Sequence, residues 1–386
     1  MPSLQAGGAE KCLVNLLNEL DYNNYEVDLF LLNKTGIFLK LVPSEVTVLT
    51  FQNDFAIFSK NPITSFFSFL SKGKFSLAYS RIAFTLKNRF IKNKGIAEQY
   101  SWEDMKKAIP KPQKEYDVAI GFLEKTSIYL TVDCIFATKK IGFINNDYAM
   151  LNLDAAFDEP YFAQLDYLFT VSESCKEVLK TAFPNLKSKI KMMYNILSEK
   201  AIQNLANEKV EGLDTAINLV TLGRLSHQKG FDIAIKAAAI LVKKGHAIKW
   251  YILGEGEERN TLEQLIKENN LTENFILLGI KENPYPYINN ATIYVQPSRF
   301  EGKSLAIDEA KILHKPILTA NFTSAKDQIE SGVNGLIVPL NEESIANGII
   351  ELIENTALRN TFISNLKRHH YGTETEINKL YQIIEN

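Results

Sequence analysis

The feature that most constrains the fold is an alternation of short β-branched apolar runs with segments of helical periodicity, which fills the second half of the chain. The apolar runs predict strands at 216–222, 248–253, 274–278, 292–296, 316–319 and 336–338. The spacing of apolar residues between them predicts helices at 231–243, 260–269 and about 304–313. Strands that alternate with helices of this length form right-handed crossovers and a parallel sheet. The second half is therefore predicted to be a Rossmann-like domain.

The first half shows the same alternation with more interruptions. Strands are predicted at 25–32, 46–49, 117–121, 140–144 and 167–171, and a first helix at 9–20. A length of 386 residues fits two domains, and we place the change of domain near 194–197, before a polar helical segment at 198–214. The loop-like residues 2–8 have no strand before them. Either the fold begins with a loop and a helix, or its first strand is missing, and we favour the second interpretation.

Composition excludes several classes of protein. Hydrophobic residues make up 46% of the chain and charged residues 23%, as in an ordinary globular protein. A net charge of −2 argues against a protein that coats nucleic acid. The three cysteines are odd in number and form no Cys-x-x-Cys pair, which fits a reducing compartment and gives no disulfide framework. Because we find neither a long apolar run nor a signal peptide, we expect a cytoplasmic protein.

The segment at 298–310 combines two carboxylates with a predicted helix start. Glu301 comes just before the helix, and Glu309 lies two turns into it. The N-terminus of a helix offers unpaired N–H groups and a partial positive charge, which together favour an anion. In one interpretation the N–H groups at 302–305 face a phosphate, while the carboxylates accept hydroxyl hydrogens of a sugar and a ribose. The alternative is a capped surface helix with two solvated acids.

Two cations belong to the loop at 223–230. Arg224 leaves the predicted strand, and Lys229 follows five positions later. The planar fork of an arginine and the point charge of a lysine can together neutralise a diphosphate. The alternative is a glycine-flanked basic turn.

The remaining motifs are less specific or absent. Residues 254–258 begin like a dinucleotide fingerprint, but Arg259 stands where the third glycine belongs, so we reject a nicotinamide cofactor. Residues 7–10 form either a second phosphate or sugar contact or a tight turn. The histidines have no metal-ligand spacing, and the sequence contains no Asp-x-Asp, P-loop or Gly-x-Ser-x-Gly motif. We therefore expect no metal and no cofactor.

A basic, aromatic insert occupies 60–114. It contains twelve Lys or Arg residues against three acidic residues, whereas the rest of the chain has 31 basic and 42 acidic residues. Basic amphipathic segments bind anionic membrane surfaces. The alternative is that the aromatic residues belong to the core and the lysines to a solvated face. We favour peripheral membrane contact, and nucleic acid binding is not expected.

Together these segments resemble family 4 of the retaining glycosyltransferases, whose GT-B fold has two Rossmann-like domains with parallel sheets facing across a cleft. The resemblance rests on Gly-Gly-Ala-Glu at 7–10, Gly-Arg-Leu-Ser-x-x-Lys-Gly at 223–230, Gly-Glu-Gly at 254–256, Asn-Pro-Tyr-Pro-Tyr at 283–287 and Glu-x7-Glu at 301–309, in family order. It implies an N-terminal acceptor-side domain of 1–196 plus about 371–386, and a C-terminal nucleotide-sugar-binding domain of 197–370. The Glu-Gly-Lys-Ser form at 301–304 and the Asn-Pro-Tyr-Pro-Tyr run are similar to those of enzymes that build bacterial capsules and other surface polysaccharides.

The resemblance also implies roles for individual residues. Arg224 and Lys229 would hold the donor diphosphate and stabilise it as it leaves. Glu301 would contact the transferred sugar, and Glu309 would bind the ribose hydroxyls. The donor site would further include Gly8, Gly223, Gly254, Ile280, Gly302, Lys303, Ser304 and Leu305. Because two cations and a helix N-terminus meet the developing charge, no metal would be needed.

One residue departs from the family. Asn145 stands where members often have a histidine; an amide cannot relay a proton, but it can bond a sugar hydroxyl. We keep Asn145 among the catalytic candidates. The resemblance implies a peripheral enzyme on the inner face of the membrane that moves a hexose, with retention, from a UDP-sugar to a lipid-linked or polysaccharide acceptor. Two alternatives stay open: a catalytically silent GT-B partner subunit, and a UDP-sugar epimerase on the same fold.

Overall fold

The computed structural model describes residues 1–5, 7–210 and 217–385. The described chain forms two compact α/β units. The first comprises residues 1–5, 9–194 and 377–385, and the second comprises residues 7–8, 195–210 and 217–376. The start of the strand predicted at 216–222 and the end of the segment predicted at 198–214 lie outside the described residues.

The first unit contains two parallel sheets. One is the pair β1 (Asp28–Leu31) and β2 (Thr47–Thr50), and the other has the order β3 (Tyr116–Gly121), β4 (Ala137–Ile144), β5 (Tyr167–Thr170), β6 (Ile190–Met192). The helices are α1 (Gly8–Asn18), α2 (Asp54–Phe58), α3 (Pro62–Ser71), α4 (Phe75–Phe90), α5 (Lys94–Met105), α6 (Thr126–Asp133), α7 (Ala155–Ala163) and α8 (Glu173–Ala182). The first residues of the chain lie along β1, where the Leu32 N–H donates to the Met1 carbonyl.

The second unit is one six-stranded parallel sheet with the order β12-β11-β10-β7-β8-β9. Its strands are β7 (Ile217–Leu222), β8 (Ile248–Leu253), β9 (Phe275–Gly279), β10 (Ile293–Gln296), β11 (Ile317–Ala320) and β12 (Leu336–Val338). Its helices are α9 (Glu199–Leu205), α10 (Phe231–Lys243), α11 (Arg259–Glu268), α12 (Tyr285–Asn289), α13 (Leu305–Ile312), α14 (Ala325–Gln328), α15 (Glu342–Glu354) and α16 (Thr356–Leu366). Two buried apolar clusters separate the sheet from these helices.

The predicted elements of the second half are confirmed. Each predicted strand and helix matches an observed one to within one residue at every described end. In the first half the predicted strands are also present, whereas β6 and most of the helices were not predicted. The polar helix predicted at 198–214 is too long within the described residues, because α9 ends at Leu205.

The last helix, α17 (Ile377–Glu385), is part of the first unit. The Tyr381 ring stacks on Tyr25 with centroids 5.3 Å apart, and its hydroxyl accepts the Asp21 N–H at 2.9 Å. The Lys139 ammonium donates to the Ile383 carbonyl at 2.6 Å. These contacts connect the C-terminal residues to the edge of β4 and to the loop after α1.

The predicted basic insert forms the helices α3 to α5. Phe69 and Ala78 are buried in a small apolar cluster with Phe58 and Ala108, so part of the insert is core. Other large apolar side chains of α3 and α4 are exposed, Phe75 by 69% and Phe90 by 70%. Both interpretations of the insert therefore apply, each to a different face of its helices.

Candidate functional site

The candidate site lies where the strand order of the second sheet reverses. From β7 the chain continues to β8 and β9 on one side, and β10 to β12 occupy the other side. The loops that leave the carboxyl ends of β7 and β10 therefore emerge next to each other. Open parallel sheets bind their ligands at such a switch point. The first of these loops carries Arg224 and Lys229, and the second carries Glu301.

The side chain and backbone of Arg299 connect the two loops by hydrogen bonds. The Arg299 guanidinium donates to both carboxylate oxygens of Asp232, at 2.7 and 2.8 Å, and to the His227 carbonyl at 2.8 Å. The Arg299 N–H donates to the Gln228 carbonyl at 2.8 Å. Burial alone would raise the pKa of Asp232, but the bonds from Arg299 more than offset it, so that pKa is lowered. These bonds therefore hold the two loops in a fixed relative position.

Lys229 and Glu301 form an ion pair inside this frame. The Lys229 Nζ lies 2.6 Å from Glu301 Oε1, and the Glu301 side chain is only 7% exposed. The lysine stem also lies against Gly223, where an added Cβ would come within 3.2–3.3 Å of three of its carbons. A residue larger than glycine at 223 would be in tight steric contact with the Lys229 side chain. Lys229, predicted to hold the diphosphate, and Glu301, predicted to contact the sugar, are therefore in direct contact with each other.

Three further donors point at the Glu301 carboxylate. The Ser298 hydroxyl donates to Oε1 at 2.6 Å, and the Gln296 amide donates to it at 3.3 Å. The Gln228 amide lies 3.4 Å from Oε2. These donors fix the orientation of the carboxylate, which accepts a hydrogen bond from each of them. The sequence analysis missed all three.

Arg224 differs from Lys229 in its surroundings. Its side chain is exposed, and this side chain makes no hydrogen bond or ion pair to any residue that the structure describes. Gly254, at the end of the adjacent strand β8, has φ 154°, and an added Cβ would lie 1.9 Å from the Gly223 carbonyl oxygen. The Gly-Glu-Gly motif thus serves the close approach of two loops, which explains a glycine there without a dinucleotide.

The start of α13 is built around Gln328. The Ser304 N–H donates to Gln328 Oε1 at 2.8 Å, and Gln328 Nε2 donates back to the Ser304 carbonyl at 2.8 Å. The Lys303 ammonium pairs with Asp308, and both of these side chains are almost fully buried. Of the N–H groups predicted to face a phosphate at 302–305, that of Ser304 is therefore already used within the protein.

The two remaining predicted donor contacts differ in accessibility. Glu309, on α13, is completely buried, with the Tyr285 hydroxyl 3.4 Å from its Oε1. Ile280 follows the end of β9 and is 41% exposed. A base can therefore stack on Ile280 directly, whereas a ribose would reach Glu309 only after a local rearrangement.

Two predicted site residues belong to other parts of the chain. Gly8 is the first residue of α1. Asn145 follows β4 at the carboxyl edge of the first unit's sheet, where its N–H donates to Glu124 Oε2 at 3.1 Å and its amide donates to the Phe122 carbonyl at 3.1 Å. Glu124 is buried, and its other oxygen accepts from Asn146 at 2.7 Å. Asn145 therefore has a fixed orientation.

Solved structures of other proteins establish the class of fold. HepE of Anabaena, solved in complex with UDP-glucose, aligns over 100% of this chain and 98% of its own, with a TM-score of 0.73 and 17% identity. The chain has the GT-B fold, as predicted from the sequence. None of its described helices combines the length and the apolar character needed to cross a bilayer.

Residues 204–369 match the model of the family Glycosyl transferases group 1. A Campylobacter jejuni relative, N-acetylgalactosamine-N,N'-diacetylbacillosaminyl-diphospho-undecaprenol 4-alpha-N-acetylgalactosaminyltransferase, is 26% identical over 95% of this chain and 92% of its own. The poly(ribitol-phosphate) alpha-N-acetylglucosaminyltransferase of Staphylococcus aureus is 30% identical over 43% of this chain and 34% of its own. The chain spans 34–60% of the length of three of the curated relatives that it matches.

Proposed function

We propose that this protein is a retaining glycosyltransferase that moves a hexose from a UDP-sugar to a lipid-linked or polysaccharide acceptor in bacterial surface-glycan synthesis. The observation that carries the proposal is the Lys229–Glu301 pair at the switch point of a parallel sheet, with Arg224 exposed on the same loop. The UDP-glucose in the HepE structure supports the donor class. The diphospho-undecaprenol acceptor named for the Campylobacter jejuni relative supports the acceptor class.

The proposed chemistry needs positive charge at the diphosphate and an acceptor at the sugar. Arg224 takes the diphosphate as a planar fork, and Lys229 moves from Glu301 to a phosphate oxygen as negative charge develops there. Glu301 then accepts a hydroxyl hydrogen of the sugar. The bond from the anomeric carbon to the phosphate oxygen breaks, and the acceptor oxygen bonds to that carbon on the same face. The proton of the acceptor hydroxyl goes to the leaving phosphate, so the step needs neither a protein base nor a metal ion.

The rest of the donor site follows the family resemblance. Glu309 binds the ribose, and Ile280 lies beside the base. The backbone of 302, 303 and 305 contacts phosphate and sugar, together with Gly8, Gly223 and Gly254, whereas the Ser304 N–H stays bonded to Gln328. Asn145 bonds a hydroxyl group, and the first unit takes the acceptor.

We propose that the exposed face of α3 and α4 binds an anionic membrane. On α4 the exposed large apolar residues recur every three or four positions, which places them in one stripe: Phe75, Tyr79, Ile82, Leu86 and Phe90. Ile63 and Phe67 give α3 a similar pair. The stretch from 55 to 97 contains no acidic residue and eight basic ones. An apolar stripe with such a charge suits lipid headgroups at the cytoplasmic face, where a lipid-linked acceptor resides.

The test begins with ligand-induced stabilisation. UDP, GDP, CDP and ADP are compared by thermal shift, since a ligand at a hundred times its dissociation constant adds about 2.7 kcal/mol to stability. The UDP-sugars of glucose, galactose and their N-acetyl forms are then incubated with undecaprenyl-diphosphate saccharides, and products are detected by mass spectrometry. We expect stabilisation by UDP and one glycosylated product. UDP binding without any product would support the silent partner subunit, and conversion of a UDP-sugar without acceptor would support the epimerase.

A further inference from the structure

A chain of buried hydrogen bonds runs along β10 to Glu301. The Tyr294 hydroxyl donates to Gln296 Oε1 at 2.6 Å, and Gln296 Nε2 donates to the Ser298 hydroxyl oxygen at 2.7 Å. The Ser298 hydroxyl donates in turn to Glu301 Oε1 at 2.6 Å. Tyr294, Gln296 and Ser298 are each completely buried. We call these three residues the β10 relay.

The strand itself sets up the relay. Side chains two apart on a strand point to the same face, so Tyr294, Gln296 and the following Ser298 are placed in one row. Ile293 and Val295 point the other way, into the apolar cluster packed against α10. Polar atoms buried in such a row are costly unless every donor and acceptor is satisfied. The contacts observed satisfy them in one continuous line.

Tyr294, at the end of the relay far from Glu301, determines which group donates in each hydrogen bond. A phenol is a donor while it is protonated, and complete burial raises the pKa of Tyr294 well above its usual range. Because the Tyr294 hydroxyl donates, the Gln296 atom that faces it is the amide oxygen. The amide nitrogen of Gln296 therefore faces Ser298. Since the Ser298 oxygen accepts from Gln296, its single hydrogen is directed to Glu301.

We propose that the β10 relay is a positioning device that keeps the Glu301 carboxylate in place, as an acceptor for a hydroxyl of the donor sugar, when Lys229 leaves it for the diphosphate. This inference rests on the proposed function. Without a second support, a carboxylate that loses its cation would rotate toward solvent or follow the lysine. Gln296 belongs to β10 and Ser298 is completely buried just after it, so both stay behind and the carboxylate keeps its position. Tyr294, Gln296 and Ser298 contact no substrate and act only through Glu301.

A matched pair of serines separates positioning from general stability. Ser324 is also completely buried and also donates to Glu301, but to its backbone carbonyl, at 3.0 Å. Ser298→Ala and Ser324→Ala therefore remove the same atoms from the same residue type beside the same glutamate. Only the first change removes a bond to the carboxylate. Tyr294→Phe removes one oxygen at the far end of the relay and serves if Ser298→Ala fails to fold.

The experiment measures the affinities of UDP, UDP-glucose and UDP-N-acetylglucosamine by calorimetry for the full-length wild type and the three variants. For Ser298→Ala we expect unchanged UDP affinity and about a tenfold loss of affinity for the UDP-sugar that the wild type prefers. Tyr294→Phe should show a smaller loss of the same kind, and Ser324→Ala should change only the melting temperature. The proposal is overturned if Ser298→Ala behaves like Ser324→Ala, if it weakens UDP equally, or if the wild type binds no UDP-sugar more tightly than UDP. A wild type that does not bind UDP at all would overturn the proposed function itself.

Discussion

Lys229 Nζ lies 2.6 Å from Glu301 Oε1, at the point where the loops after β7 and β10 meet. The two residues are 72 positions apart in the sequence. The cation proposed to bind the diphosphate is thus held by the carboxylate proposed to bind the sugar. We infer that the phosphate competes with Glu301 for Lys229, so that donor binding exchanges one anionic partner of the lysine for another.

This exchange predicts an unusual result for Glu301→Gln. The neutral amide releases Lys229 and removes a negative charge beside the diphosphate, so UDP affinity should rise about threefold to tenfold. Transfer should nevertheless fall by about 100-fold, because the sugar loses its charged acceptor. Calorimetry with UDP and initial rates of transfer measure the two effects. Weaker UDP binding by the variant would show that the ion pair does not compete with the phosphate.

Arg224 and Arg299 offer a second comparison, because among the described residues only the Arg299 side chain has a partner. Arg224→Met should weaken UDP binding by about tenfold to 100-fold through loss of a charge-assisted fork. Its melting temperature should not change, since the side chain is exposed and makes no bond to the described residues. Arg299→Met should lower the melting temperature by about 2–4 °C, because it leaves Asp232 without its fork. Equal effects of both changes on UDP binding would remove the diphosphate role of Arg224.

The proposed contact between Glu309 and the ribose can be tested with a nucleotide that lacks a ribose hydroxyl. Glu309→Ala should weaken UDP binding, and the wild type should bind UDP about tenfold more tightly than 2′-deoxy-UDP. The variant should lose this discrimination, because no carboxylate remains for the hydroxyl. Tyr285→Phe is the control, since it removes the hydroxyl near Glu309 Oε1 without touching the carboxylate. Discrimination that persists in Glu309→Ala would assign the ribose to another group.

Lys311, on α13, predicts a pH dependence of stability. Burial lowers the pKa of its ammonium from 10.5 to about 8, although the Tyr371 ring lies 4.3 Å away and the Gln328 carbonyl accepts its hydrogen. Below pH 8 the folded protein keeps the buried charge, and above pH 10.5 the lysine is neutral in both folded and unfolded states. The free energy of unfolding from this group therefore rises between these limits. Lys311→Met should be about 1–2 kcal/mol more stable than wild type at pH 7 and should lose that advantage toward pH 10. A constant difference across this range, measured by urea denaturation, would contradict the shift.

The strands of the second unit could be predicted because their apolar runs are continuous and bounded by glycine or polar residues. β6 (Ile190–Met192) was missed because Lys191 interrupts its apolar residues, whereas the equally short β12 is a continuous apolar run. In the insert, the sequence could not separate the buried Phe69 from the exposed Phe67, because both belong to the same aromatic run. Only the packing of α3 against its neighbours decides which ring is covered.

The candidate site was predicted as a set of residues and not as a set of contacts. Spacing brought Glu301 to a helix start and Lys229 to a strand end, but their pairing depends on β10 lying beside β7. The strand order is a property of the whole sheet, which no local pattern contains. The β10 relay left a signal that could have been used: polar residues at 296 and 298 continue the alternation of an apolar strand. A buried row of this kind needs a polar end point, and Glu301 provides it.

The exposed stripe of α4 gives the last prediction. Wild-type protein should sediment with vesicles of phosphatidylglycerol and phosphatidylcholine and much less with phosphatidylcholine alone, because each Lys or Arg near an anionic surface contributes about 1 kcal/mol. Phe75→Ser with Phe90→Ser removes two of the most exposed apolar side chains and should abolish this binding. Phe136→Ser with Met150→Ser changes two other exposed apolar residues of the same unit and should leave binding intact. All variants should transfer to a soluble acceptor analogue at the wild-type rate, since the stripe lies outside the candidate site. Equal sedimentation with both kinds of vesicle would show that charge does not direct the contact, and equal loss in both double variants would show that α4 is not the surface that binds.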